Sequence, residues 1–298
     1  MKPRLIIIGG PTASGKSDLA VKAALRFNTE IISADSRQFY REMNAGTAKP
    51  DAKQLATVKH HFINSLSVHD PYSAGQFESD CLQKLDELFK IYNTIVMAGG
   101  SGLFIQAVIR GFSSQLPDAD PELRRQLNAM PLSALQNEIK ILDPFFAARV
   151  DMQNPRSLIR AIEVIRQTGR TFSSLKESKP AKRNFEPVLI CIDRERQELY
   201  RRIEMRVDKM LENGLEKEAE SLFLLRHLPA LKTVGYSEWF MYFEGKISKD
   251  QAIALIKRNT RRYAKRQLTW FRNQHQTIWL KPEQAEAFLK NPETFSRV

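Results

Sequence analysis

An α/β fold is predicted for this 298-residue chain, with a parallel-sheet core and a mostly helical insertion, and three observations predict it. Short apolar strands alternate with helical stretches in the outer parts of the sequence, the arrangement of a parallel sheet covered by helices. A glycine-rich loop joins the first strand to the first helix. Between residues 116 and 184 the strand signals stop and prolines punctuate short helices. The predicted core is therefore 1–115 with 185–298, and the insertion is 116–184.

Each element has its own signal. Arg4–Ile8 is rich in β-formers, GGPTASGKS breaks it, and Asp18–Arg26 has the alanine-rich pattern of a helix. A second buried strand, Glu30–Ala34, ends in Asp35 and Ser36. A helix is expected near Ala74–Ile91, and a third strand, Thr94–Ala98, ends in Gly99-Gly100-Ser101-Gly102. In such a sheet the site lies beyond the strands' C-terminal ends, so Asp35 and Ser101 share a rim with the glycine loop. Pro117, Pro121, Pro131, Pro144 and Pro155 break up the insertion, and the polar connector KESKPAKRNFEP closes it. Val188–Ile192 then resumes the strand pattern. Leu199, Ile203 and Val207 recur at helical spacing over Gln197–Leu211, with Arg201, Arg202 and Arg206 between them, and Gly214 ends or bends that helix. A long basic helix is predicted from Lys249 to Arg272.

The loop Gly10, Pro11, Thr12, Ala13, Ser14, Gly15, Lys16, Ser17 fits G-x-x-x-x-G-K-[ST] in the required context, after a strand and before a helix. Its glycines turn backbone N–H groups toward an anion, and the helix N-terminus adds partial positive charge. Lys16 bridges phosphate oxygens and the Ser17 hydroxyl reaches Mg²⁺. The core is thus P-loop NTPase-like. Asp35, a carboxylate opposite this loop, could hold magnesium, serve as a general base, or cap the next helix. Ser101 among glycines either approaches a ligand closely or makes a tight turn. His60 and His61 point in different directions and read as structural groups or polar contacts rather than metal ligands.

Composition bounds the partners. Hydrophobic residues make up 42% and charged residues 27%, ordinary values for a folded chain. The run Leu5–Ile8 is too short to span a bilayer and leads into the loop rather than a cleavage site, so no membrane role is expected. Cys81 and Cys191 cannot build a disulfide framework, which suits a reducing cytoplasm. With 46 Lys plus Arg against 34 Asp plus Glu, the formal charge is +12, and an excess of that size points to nucleic acid or to a diffusely basic enzyme. The charge is concentrated: KRNTRRYAKRQLTWFR, 257–272, carries seven basic residues and no acidic one, interleaved with Tyr263, Trp270 and Phe271.

Taken in order, GPTASGKS at 10–17, ADSRQFYR at 34–41, the His60-His61 pair, YSAGQF at 72–77, GGSGLFI at 99–105, NPRSLIRAIEV at 154–164, RIEMRVDKM at 202–210, KTVGY at 232–236 and TRRYAKRQLTWFR at 260–272 resemble the tRNA dimethylallyltransferases. Members of that family move a dimethylallyl group from its diphosphate to N6 of adenosine 37, beside the anticodon. The resemblance implies that Asp35 is the base for the adenine amine and that Ser101 places that amine. It implies that Arg206 joins Lys16 on the diphosphate, with Mg²⁺ held through the diphosphate by Ser17. It assigns tRNA contacts to Asp35, Ser36, Arg37 and Gln38, to Ser101, and to Arg124, Arg156, Ser157, Leu158, Ile159 and Arg160. Leu231, Lys232, Thr233, Val234, Gly235 and Tyr236 belong to the same set. The insertion would clamp the anticodon stem-loop, with the protein acting as a monomer. Serine stands at 101 where the family more often has threonine, which keeps the hydroxyl. Phenylalanine stands at 104 where tyrosine is commoner. The cysteines of a C-terminal zinc finger are missing, which favours a bacterial-type member.

The chemistry then has two ends. Adenine N6 is a poor nucleophile, so a base assists it while the loop, Lys16, Arg206 and Mg²⁺ stabilise the departing diphosphate. The base must also leave its stack, and Arg37, Phe39 and Tyr40, near Asp35 in sequence, are the candidates for stacking on it. Three rivals remain: a small-molecule kinase, an enzyme prenylating free adenine nucleotides, and a non-catalytic RNA-binding module. The 94–98 strand lacks the terminal aspartate usual in a kinase, and intact Lys16, Ser17 and Asp35 oppose the last.

Overall fold

In the computed structural model, residues 2–111, 116–176, 181–274 and 276–291 are described. Positions 177–180 of the predicted connector, and 112–115 at the predicted first boundary, lie outside that set. Packing divides the chain into one unit made of residues 1–109 and 183–298 and a second of residues 110–182.

The first unit opens with β1 (Arg4–Gly9), α1 (Lys16–Phe27), β2 (Ile31–Ser33), α2 (Ala52–Thr57), β3 (His60–His61), α3 (Ala74–Leu88), β4 (Thr94–Ala98) and α4 (Gly102–Arg110). The second unit carries α5 (Pro121–Ala129), α6 (Leu132–Leu142), α7 (Pro144–Ala147), α8 (Pro155–Thr168) and α9 (Phe172–Lys176). The chain then returns with β5 (Glu186–Ile192), α10 (Arg196–Glu212), α11 (Leu215–Ser221), α12 (Tyr236–Phe243), α13 (Lys249–Arg272), β6 (Thr277–Leu280) and α14 (Pro282–Lys290).

Six parallel strands form the sheet in the order β3-β2-β4-β1-β5-β6. Both faces are covered, so β1 is apolar without alternation from Leu5 to Ile8. Its Leu5 and Ile7 join the core on one face with Phe77 and Cys81 of α3, Ile105 of α4 and Phe271 of α13. Ile6 and Ile8 face the other way, onto Leu19, Ala20 and Ala23 of α1 and Ala285 and Leu289 of α14. A third cluster, including Val207, Leu215, Trp239 and Ile256, binds α10 to α13 together. The second unit has its own core of Leu127, Leu135, Ile139 and the α8 residues Leu158, Ala161, Ile162 and Ile165.

Local signals account for the helix ends. Ser73 and Gln76 form a reciprocal cap on α3, and Ser248 and Gln251 do the same for α13. Pro155 opens α8 and Gly169, at φ 67°, closes it in the left-handed conformation. The short edge strands β3 and β6 were not foreseen. With two and four residues they carry too little periodicity to be read alone.

Candidate active site

The turn from β1 into α1 places positive φ at Gly10 (134°), Ala13 (63°) and Gly15 (96°), winding the loop so that peptide N–H groups converge. No side chain caps the N-terminus of α1, which leaves those donors for an anion. Left-handed backbone is costly for alanine, and neighbouring arginines hold it in place. Arg202 Nε donates to the Ala13 carbonyl at 2.9 Å, and Arg194 Nε to the Ser14 carbonyl at 2.7 Å. Neither arginine's role at the loop is legible in the sequence, because each acts on backbone 180 or more residues away along the chain. Not every loop N–H faces the site: that of Thr12 donates to the Gln267 side chain at 2.9 Å, and that of Ser14 to Pro11 O at 3.3 Å.

Lys16, Ser17, Asp35 and Arg206 line one cavity, together with Ser33, Gln38 and His60. Lys16 Nζ donates to Pro11 O at 3.2 Å. Loss of solvent and the nearby Arg206 guanidinium bring its pKa down to about 8, with the Asp35 carboxylate opposing the drop. Arg206 is lowered for the same first reason and also supported by Asp35; its Nη2 donates to Thr47 O at 3.3 Å. The structure therefore brings two cations and a carboxylate beside the loop; the rim argument expected Asp35 there, and only the family resemblance pointed to Arg206.

Asp35 accepts from the Arg37 N–H at 3.1 Å in a tight local turn. Ser101 is buried, and its Oγ accepts the Ser36 N–H at 2.9 Å and meets Ser36 Oγ at 3.2 Å. The hydroxyl thus ties the Asp35 turn to the loop after β4. Close approach there needs glycine: a Cβ on Gly99 would sit 2.2 Å from the Ala34 carbonyl oxygen. The Tyr263 hydroxyl of α13 lies beside Ser101, and burial with the Asp35 charge pushes it up to about 12. Gln38 turns inward to accept from Ser33 Oγ at 3.1 Å.

Two candidate stacking partners are corrected. Phe39 is fully buried among Phe62, Tyr72, Phe77 and Phe104, with ring centroids 5.1–6.5 Å apart. Tyr40 is buried in the third cluster. Neither can receive a base without dismantling the core; Arg37 is half-buried, and Tyr263, although its hydroxyl is buried, keeps 36% of its surface exposed. His61 bonds Glu30 at 2.5 Å and is structural, whereas His60 lines the cavity and bonds Val58 O at 2.8 Å.

The outlying stretches are mixed. Leu231 and Tyr236 lie fully in the core, as does Leu158, and Ile159 is nearly so, so their side chains are unavailable to RNA. Tyr236 presses on Gly46 and donates to Glu218 at 2.6 Å; Glu218 also accepts the N–H groups of Asn44, Ala45 and Gly46 at 2.7–3.0 Å. That carboxylate, missed in the sequence, fixes the turn whose Thr47 carbonyl holds Arg206. Lys232 and Arg156 are exposed, Thr233, Val234 and Ser157 partly so, and Gly235 supplies a φ of 99° before α12. In the second unit Arg124 and Arg160 both pair with the buried Glu163, at 2.9 and 2.6 Å.

A family model described as IPP transferase matches residues 38–274. The tRNA dimethylallyltransferase of Christiangramia forsetii is 48% identical over 283 residues, covering 94% of this chain and 93% of that one. Its counterpart in Cytophaga hutchinsonii is 45% identical over 282 residues, 93% and 92% of the two chains. Among solved structures, the full-length tRNA isopentenylpyrophosphate transferase of Bacillus halodurans is 35% identical, with a TM-score of 0.73 over 97% of this chain and 95% of that one.

Proposed function

The chain belongs to the IPP transferase family, and on that premise we propose that it moves the dimethylallyl group of dimethylallyl diphosphate onto N6 of adenosine 37 in tRNA. The observation that carries the mechanism is that Lys16, Ser17, Arg206 and Asp35 line one cavity, which joins cations for a leaving anion to a carboxylate for a proton. In the reaction the N6–carbon bond forms as the carbon–oxygen bond to diphosphate breaks. The N6 proton passes to Asp35 and the electron pair leaves with the diphosphate. The loop N–H groups, Lys16 and Arg206 meet charge where it develops, which lowers the barrier rather than merely tightening the ground state. Ser101, anchored to Ser36, holds the acceptor side in register.

The donor set suits magnesium. Ser17 offers a hydroxyl oxygen to the cavity, and a hydroxyl at this place in the loop together with substrate phosphate oxygens is a usual magnesium donor set. When bound it would supply further neutralisation of the diphosphate. The acceptor adenosine leaves its stack, with Arg37 and Tyr263 as the groups able to receive it. Exposed basic residues of α13, together with Arg156 and Lys232, meet phosphates, and the second unit clamps the anticodon stem-loop. Among the described residues no helix is long and apolar enough to cross a membrane; a cytoplasmic monomer is our reading.

The test offers labelled dimethylallyl diphosphate or labelled ATP with tRNA or AMP as acceptor. Label moving from the prenyl donor to tRNA is the expected result. Transfer from ATP to a small molecule would make the protein a kinase, and prenylation of AMP but not tRNA would make it a nucleotide prenyltransferase.

A further inference from the structure

Gln267 lies near the C-terminal end of α13, in the basic segment read as an RNA contact, yet it is buried at 7% exposure and turned into the protein. Its amide oxygen accepts the Thr12 N–H of the phosphate loop at 2.9 Å, and its amide nitrogen donates to the Gly100 carbonyl at 2.8 Å. One side chain therefore joins the loop after β1 to the loop after β4. The first carries Lys16 and Ser17; the second carries Ser101.

The joint is built for contact. A Cβ on Gly100 would lie 2.3 Å from the Gln267 amide nitrogen. The same helix face presents Phe271 to Gly9 and Trp270 to Gly102, where a Cβ would come within 2.5 and 2.2 Å. Tyr263, one turn earlier, reaches Ser101. Spacing of three and four residues keeps all four side chains on one face. Glycine at 9, 100 and 102 is the condition for α13 to press directly on both loops.

We propose that Gln267 is a positioning residue for group transfer, setting the spacing between the diphosphate loop and the acceptor loop through the Thr12 N–H and the Gly100 carbonyl. This rests on the functional reading above. It touches neither substrate; it fixes how far the departing oxygen and the attacking amine stand apart. A displacement of about 1 Å at such a distance costs as much as about 100-fold in rate. The two hydrogen bonds run in opposite senses, so only a group with an acceptor and a donor at the two ends of a planar fork satisfies both.

Gln267→Glu is the informative change. As a carboxylate it still accepts from Thr12 but sets an acceptor against the Gly100 carbonyl; as a carboxylic acid it restores both bonds. Single-turnover transfer by Gln267→Glu, relative to wild type, is therefore expected to fall about tenfold or more near pH 8.5 and to recover to within about threefold near pH 6. Binding of inorganic diphosphate and of tRNA should stay within about threefold of wild type. Gln267→Met, which keeps the volume and loses both bonds, should lose rate equally at all pH values. A Gln267→Glu rate ratio independent of pH, or a loss confined to thermal stability and substrate affinity, overturns the positioning role. Should wild-type protein bind diphosphate yet transfer no dimethylallyl group to tRNA, the functional reading itself fails, and the role of Gln267 in that transfer falls with it.

Discussion

At the scale of single residues the cavity separates binding from chemistry. Asp35 is half-buried beside two cations, and its proposed work is to take one proton. Asp35→Asn keeps shape and most hydrogen bonding but removes the base. Turnover should fall by about 10²–10⁴-fold while tRNA affinity holds, as gel shift and single-turnover labelling would report. A collapse of tRNA binding would reassign Asp35 to recognition. Lys16 makes a second prediction. In the free protein its charged form is disfavoured by lost solvation and by Arg206, so it titrates at about 8. A bound diphosphate favours the charged form and raises that value. Donor affinity should therefore hold below pH 8 and weaken by roughly tenfold per pH unit above it, with proton uptake on binding. Calorimetry of diphosphate binding near pH 9, in buffers of different ionisation enthalpy, measures that uptake; heats independent of buffer would show that Lys16 is already charged.

At the scale of elements, the sequence was most readable where one segment carries its own signal. The loop from β1 to α1, the helix α3 and the 24-residue α13 appear where the glycine motif and the residue patterns put them. β3 and β6 escaped because edge strands of two and four residues exist only through their pairing with β2 and β5. Arg124 of α5 and Arg160 of α8 invite an RNA reading, but their shared partner Glu163 could be found only in the fold. It is fully buried, and although burial pushes its carboxyl up, hydrogen bonds from Arg124 and Arg160 outweigh that and hold it below the usual range. It also accepts the Asp120 N–H at 2.9 Å, closing the start of α5. Glu163→Ala removes three partners at once. Since the Arg124 and Arg160 side chains are 42% and 28% exposed, water reclaims part of their solvation, and the expected loss is about 2 kcal/mol rather than the about 3–5 of a sealed pair. Hydrogen exchange in the full chain should quicken in α5 and α8 while the strands β1 and β4 keep their protection; uniform protection throughout would show that the triad contributes no stability.

At the scale of the whole molecule, the net charge of +12 acts on RNA only through residues that remain free to release counterions. Here sequence alone misleads, because a run of seven basic residues reads as a single surface. In the fold α13 turns Ala264, Gln267 and Phe271 inward, pairs Lys257 with Asp208 and Arg261 with Glu204 at 2.6 and 2.7 Å, and exposes Arg258, Arg262, Lys265, Arg266 and Arg272. The inward face was illegible for the same reason as Arg194, Arg202 and Glu218: each completes a loop far away in sequence, leaving no local pattern to detect. Paired cations already have a protein counterion, so they displace few from RNA. Replacing Arg262 and Lys265 by Ala should lower the slope of log Kd against log salt by about 0.7–0.9 for each phosphate no longer neutralised. Replacing Arg261 should leave the slope nearly unchanged, because it frees Glu204 as it removes its own charge. Diphosphate affinity should stay constant in both, since Lys16, Ser17 and Arg206 are untouched. Titrations of a labelled anticodon stem-loop across a salt series separate the cases: equal slopes for the exposed and the paired replacements would mean that RNA reads the total charge of the protein rather than the exposed face of α13.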